Sequence, residues 1–313
     1  MRFFSMRLSL SHLMPKQIFQ LLFAPRFAAA ALLAFSACVG NATELKEFVD
    51  QYKAIQKASS DERKLALSEQ LSEAMVAHWT DHELETDASE ILGKRMGFAS
   101  AGSGQDRLAV VSWNVELNNQ TQAYGAVVIF RGRKGEQIAE SLQFKRSTTL
   151  RNTLDTKSRY TPKDWPGAVY YEVLIQHQGS RPVYTLLGWD GADNIRTRKI
   201  VETLTISGTK LKFGVPIISA GRGSTKRYIL EYSDQVSAIL QWREDLDMIV
   251  MDHLSPPSEE LEGQTAYYGP DMSYDGFVWK KNQWVLQEDV DVRDPKVQGP
   301  WNNPKRLRRR ARN

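Results

Sequence analysis

Hydrophobic positions along the chain change their period near residue 100. From Glu44 to Lys57 the apolar residues Leu45, Phe48, Val49, Tyr52 and Ile55 recur three and four apart, which places them on one face of a helix. Ser59-Ser60-Asp61-Glu62 then reads as a capping box, with the Ser59 hydroxyl accepting from the backbone while Glu62 reaches back. Leu67, Leu71, Met75 and Trp79 form the apolar row of a second helix, so residues 43–98 are predicted to hold a helical hairpin. The small-residue run Ala99 to Gly104 reads as a soft linker and a domain boundary.

Past Gly104 the period becomes two. Ala109, Val111, Trp113, Val115 and Leu117 share one face, while Ser112, Asn114 and Glu116 point the other way. Tyr124 to Phe130 is apolar on both faces, the signature of a strand covered on both sides, and Arg131 to Gly135 is a turn. Residues 145–167 are polar and poorly patterned, a long connection. Ala168 to Ile206 resumes alternation as a hairpin with turn chemistry at Gln178 to Pro182, and it carries the distinctive Gly188-Trp189-Asp190-Gly191. Further strands are predicted around Arg198–Ile206, Lys210–Phe213, Arg227–Tyr232, Val236–Trp242 and Met248–Asp252, with a last hairpin at Phe277–Lys280 and Gln283–Gln287. The fold class is therefore α+β, mainly β: a helical hairpin followed over residues 99–295 by an antiparallel β-meander, closed as a sandwich or as a partly closed barrel. Trp189-Asp190-Gly191 and Tyr274-Asp275-Gly276 echo each other, but no copy falls midway, which excludes a propeller.

Charge changes the picture of the ends. The formal net charge of +4 is uneven. Four cations (Arg2, Arg7, Lys16, Arg26) precede position 43, and six (Lys305, Arg306, Arg308, Arg309, Arg310, Arg312) crowd the last nine positions, with no carboxylate in either segment. Taking these from the 41 basic residues leaves 31 against 37 acidic, a net of −6 for the body, so no specific nucleic-acid binding is expected of it. Lys16 and Arg26 before the apolar run Phe27 to Val39, with Gly40-Asn41-Ala42 as a small-residue cleavage site, predict an export signal over residues 1–42, with Met1 and Met14 both standing as starts. Cys38, the single cysteine, lies in that segment. Phe35-Ser36-Ala37-Cys38 also resembles a lipobox, so lipid anchoring through Cys38 is the alternative to simple cleavage. The location implied is the periplasm or outer envelope. The arginine-rich tail, 296–313, suits anionic envelope surfaces through its six cations.

Candidate chemistry is sparse. His78 and His82 stand four apart, but position 79 is Trp where a zinc hydrolase needs its base, so no metal is assigned. Asp190, Asp193 and Asn194 place oxygen donors in one loop, which fits a turn better than calcium. Asp252, His253 and Ser255 suggest a hydrolytic triad, yet neighbours on a strand point to opposite faces, so Asp252 cannot orient His253. Asp190, Asp271 and Asp275 are the carboxylates available for polymer hydrolysis. Gly221 to Lys226 lacks phosphate-loop spacing, and neither a nucleophile elbow nor a dinucleotide fingerprint occurs, so no cofactor and no catalytic residue are assigned. The tryptophans and tyrosines read as core rather than as a sugar platform.

The set YTLLGWDG, DMIVMDHLSPP and YYGPDMSYDGF, within residues 168–295, resembles a family of exported β-rich proteins from Bacteroidetes-type bacteria with no established activity. The resemblance implies an envelope location and transfers no catalytic residue. The expectation is a non-catalytic binding or structural module whose candidate binding residues are Trp189, Asp190, Asp193, Asp252, His253, Asp271, Tyr274 and Asp275; the alternative is a hydrolase of envelope polymers working through the Asp-rich loops.

Overall fold

The structure, a computed structural model, describes residues 43–146 and 152–293. The predicted export signal with Cys38 and the basic tail lie outside the described residues. The chain divides into two compact units, Met1–Glu44 and Leu45–Asn313, and the elements below belong to the second.

Helix α1 covers residues 43–57, its part from Leu45 onward lying in the second unit, α2 covers Asp61–Asp81 and α3 Ala88–Leu92. The cap of α2 is Ser60, not Ser59: Ser60 is extended, and its hydroxyl accepts from Arg63 N at 3.3 Å, one turn in. Leu45, Phe48, Tyr52, Ile55, Leu71, Met75 and Trp79 are all buried, as their spacing requires. They pack on one face of a four-stranded sheet I, ordered β1 (Gly97–Ala101), β2 (Leu108–Glu116), β3 (Gln122–Arg131), β4 (Gln137–Leu142). The first half of the run read as a soft linker, Ala99 to Ala101, is the end of strand β1. Ala99 is buried and pairs with Val110, because small side chains suit a strand pressed against a neighbouring layer. The helices and sheet I therefore share one core.

The opposite face of sheet I, with Leu108, Val110, Ala126, Val128 and Phe130, packs on sheet II. Sheet II runs β10 (Arg227–Ser233), β7 (Arg196–Ser207), β6 (Arg181–Asp190), β5 (Val169–Gln178), with β8 (Lys210–Phe213) also paired to β7. Its far face packs on sheet III, ordered β11 (Leu240–Arg243), β12 (Met248–Ser255), β13 (Gly269–Lys280), β14 (Gln283–Gln287) and β9 (Ile218–Ser219). Every pair is antiparallel except β14 with β9. The result is a sandwich-like stack, helices then three sheets, with no closed barrel. Among the described residues no helix is long and apolar enough to cross a membrane.

Tryptophans join the layers. Buried indole nitrogens donate from Trp113 to Ser68 Oγ of α2 at 2.8 Å, and from Trp284 of sheet III to Thr185 Oγ1 of sheet II at 2.8 Å. Each buries a large apolar surface and satisfies its one donor. Gly125 makes room for the first: a Cβ there would lie 2.3 Å from the Trp113 ring.

Candidate functional site

Two clusters gather the polar residues singled out in the sequence, and they do opposite things. The first is buried between sheets I and II. On the inward face of sheet II the charges alternate across three strands: Asp190 of β6 stands opposite Arg198 of β7, and Arg198 opposite Glu231 of β10. Two same-face positions along, past the Ile200–Ile229 pair, Glu202 of β7 stands opposite Arg227 of β10. These are cross-strand partners on one face, so the side chains meet directly. Arg198 Nη1 donates to Asp190 Oδ2 at 3.0 Å and its Nε to Glu231 Oε2 at 2.5 Å; Arg227 Nε donates to Glu202 Oε2 at 2.8 Å.

Asp190 is fully buried and has no acceptor capacity left. Arg146, from the connection after β4, grips both its oxygens at 2.8 Å; Tyr124 Oη of β3 donates at 2.7 Å and Ala192 N at 2.9 Å. Burial by itself would raise this carboxyl, but Arg146, Arg198 and Tyr124 together outweigh it and bring the pKa down to about 2. The same burial, with the Asp190 charge, pushes the Tyr124 phenol well up. Asp193 is spent on its own turn: Oδ1 accepts from Ile195 N and Arg196 N at 3.0 Å, and Oδ2 from Arg196 Nη2 at 2.7 Å. Asn194 bonds Gln120, and half-buried Trp189 lies against Gly191. With guanidinium and amide donors on these oxygens, the loop is a tied turn.

The second cluster is on sheet III. The pairing of β12 with β13 slips between Asp252 and Leu254: His253 alone faces the three residues Asp271, Met272 and Ser273. Such a bulge re-aims side chains. Met272 takes φ 76° there and is 92% exposed. The Tyr274-Asp275-Gly276 stretch, counted from sequence among the Asp-rich loops, is instead the interior of β13. Gly276 permits this by leaving space for Met248, whose sulfur would lie 2.3 Å from a Cβ.

The bulge pairs His253 with Asp275. Nδ1 donates to Asp275 Oδ2 at 2.8 Å, while Asp275 Oδ1 accepts from Asp289 N at 3.2 Å. Asp252 faces away and accepts from Ile239 N at 2.6 Å, as strand alternation demands. Its carboxyl is raised, chiefly by burial and further by Asp271. Asp271 is exposed and folds onto Ser273, whose Oγ donates to it at 2.7 Å; Tyr274 is half-buried and its carbonyl receives Val290 N at 2.6 Å. Among the described residues the His253 ring makes one hydrogen bond, to Asp275, and its Nε2 makes none. That bond, followed by the charges of Asp275, Asp271 and Glu288, raises the His253 pKa against a smaller desolvation.

His253 also lines a groove of about 630 Å³. One wall is β10 at Ile229, Leu230 and Glu231; the other is the end of β12 and the connection that follows, including Ser258, Glu259 and Glu262. That connection is tied to β10 by Thr265 Oγ1, which donates to Glu231, and by Ser233 N, which donates to Tyr268 O at 3.0 Å. Glu231, Arg198 and Arg146 escaped sequence reading. For the two strand residues the signal was a charge on the apolar face of a strand, as in Arg198 and Glu202, which share the alternate positions of Ile200 and Leu204, and such a charge requires a buried partner. His78 and His82 stack with centroids 4.8 Å apart on α2, and His78 Nε2 meets Glu85 Oε1 at 2.5 Å.

Asp190→Asn is expected to destabilise the protein by about 3–5 kcal/mol, because it leaves two buried guanidiniums facing an amide. The wild-type contribution is present above the ordinary carboxyl range and lost as pH falls toward 2, so acid unfolding followed by circular dichroism will begin at higher pH in the variant. An unchanged urea midpoint contradicts the assignment. The pairing with Asp275 favours the charged form of His253, and whatever the pair contributes is complete below about 6.5 and disappears as pH rises through the elevated value. Proton NMR titration should place His253 above an ordinary imidazole, and Asp275→Asn should return it toward that value; a wild-type ring titrating at or below it excludes the pairing.

The chain matches no family model, no curated protein and no solved structure.

Proposed function

We propose that the protein is exported to the cell envelope and serves there as a non-catalytic binding module, with its ligand site in the groove beside His253. The observation that carries this is the fate of the carboxylates. A hydrolase of glycosidic polymers of the common kind needs two carboxyl groups facing one bond. Asp190 is instead held by two arginines inside the sheet stack, Asp275 is committed to His253 and the Asp289 amide, and exposed Asp271 folds on its own turn. The export signal read in residues 1–42, with Cys38 as the alternative anchor, supports the envelope location, and the six terminal cations supply adhesion to anionic lipid.

One observation favours hydrolysis as a second reading. His253 is oriented by a carboxylate with Nε2 unbonded beside a groove, the arrangement of a general base. In that reading the base is His253, and Asp190 has no part.

The mature chain from Thr43, tagged and passed through envelope extract, should retain a partner that Ser258→Trp, which fills the groove, no longer retains. Release of soluble fragments from envelope polymer by the wild type but not by His253→Ala would instead establish the hydrolase. Deleting residues 305–313 should abolish salt-sensitive binding to anionic vesicles; equal binding by both forms removes the lipid role of the tail.

A further inference from the structure

The groove has a backbone edge as well as a lining. β10 is an edge strand, paired along Arg227–Ser233 with β7 and, among the described residues, with no strand on its other side. Alternate residues of a strand direct their N–H and C=O to the same edge. Ser233 N bonds Tyr268 O across the outer edge, while Asp234 N bonds Ile195 O on the β7 side. The same alternation turns the backbone groups of Glu231 and Ile229 outward, into the groove they line. Among the described residues, no hydrogen bond from the β12–β13 connection reaches the backbone of either. The connection fastens itself to β10 at Ser233 and to the Glu231 side chain, and leaves the stretch between uncovered. An uncovered edge strand is a template for one more strand.

Apart from His253, the charge on the groove wall opposite β10 is one-sided. Between Arg243 and Lys280 the chain carries nine carboxylates and no lysine or arginine. Glu259 and Glu262 stand exposed on the groove wall opposite β10, and Glu260 is exposed beside them. Glu231 is already matched by Arg196 and Arg198, so it adds no free charge. A ligand that pairs with the edge must therefore be extended, present backbone donors and acceptors, and carry positive side chains toward Glu259 and Glu262.

From the open edge and this charge we infer that the groove binds an extended, lysine- or arginine-bearing segment of a partner protein, which adds to sheet II as a strand beside β10. The inference rests on the binding-module reading and names its partner class.

The test uses the mature chain and fluorescein-labelled peptides of seven residues, the length of β10, read by anisotropy at low salt. A peptide alternating valine and lysine should bind at least about tenfold more tightly than one alternating valine and glutamate. The double reversal Glu259→Lys with Glu262→Lys should reduce that binding by about tenfold or more. Methylating alternate peptide nitrogens, which removes the donors of one edge, should abolish it, and Ile229→Pro, which removes an outward N–H of β10 and leaves the β7 ladder intact, should do the same with an unchanged circular dichroism spectrum. If Ile229→Pro fails to fold, the methylated peptide on the wild-type chain decides alone. Equal binding of the methylated and unmethylated peptides overturns the inference, because the contact is then charge without strand addition. Equal binding of the two charge patterns, or full competition by spermidine, overturns it as well. Envelope capture that Ser258→Trp abolishes, with no peptide binding, overturns it while the binding-module reading stands.

Discussion

A carboxylate without water must be matched by cations, and Asp190 is matched by two. Its position at the end of β6 lets it take Arg198 from the neighbouring strand, Tyr124 from sheet I and Arg146 from the connection after β4. Three separate parts of the chain are thereby fixed to one point. The same connection is held further along, where the Asn152 carbonyl receives Arg198 and the carbonyls of Asp155 and Ser158 receive Arg227. A stretch with almost no apolar pattern is thus ordered by the guanidiniums it covers. Burying ions costs desolvation, which the pairing offsets, so the network is a stronger determinant of register and of the route of the chain than of net stability.

That constraint separates structural acid groups from available ones. The charges on sheet II are consumed by one another. On sheet III the bulge at His253 breaks the ladder locally, frees one imidazole nitrogen and places it at the rim of a groove whose other wall is an open strand edge. Irregularity, available polar groups and unpaired backbone coincide there, which is why the proposed binding site lies at this corner and not at the loop that follows Asp190 at the end of β6.

Much of the fold was legible because each strand of the stack has to bury alternate or all positions. β2, β3, β6 and β7 carry that pattern plainly, and β3 reads as covered on both faces because it lies between the helices and sheet II. Two strands of sheet I were not legible. β1 is too rich in small residues to show a period, and β4, Gln137–Leu142, is a half-buried edge whose Gln137 amide donates to Trp79 O and His82 O at 2.7 Å in place of an apolar contact. Val236 to Ile239 looked like strand but lies before β11 with Val236 and Ile239 exposed, since apolar character alone does not provide a pairing partner.

The sequence by itself determined the helical pair, the run of strands and the exclusion of Asp252 as the partner of His253, because these follow from periods of 3.6 and 2 that are local properties of the backbone. Only the tertiary structure decided that Asp190 serves two arginines, that Asp275 orients His253, and that β10 keeps an open edge beside Glu259 and Glu262. Those partners come from strands far apart along the chain, and their meeting depends on sheet order and register, which no local pattern encodes.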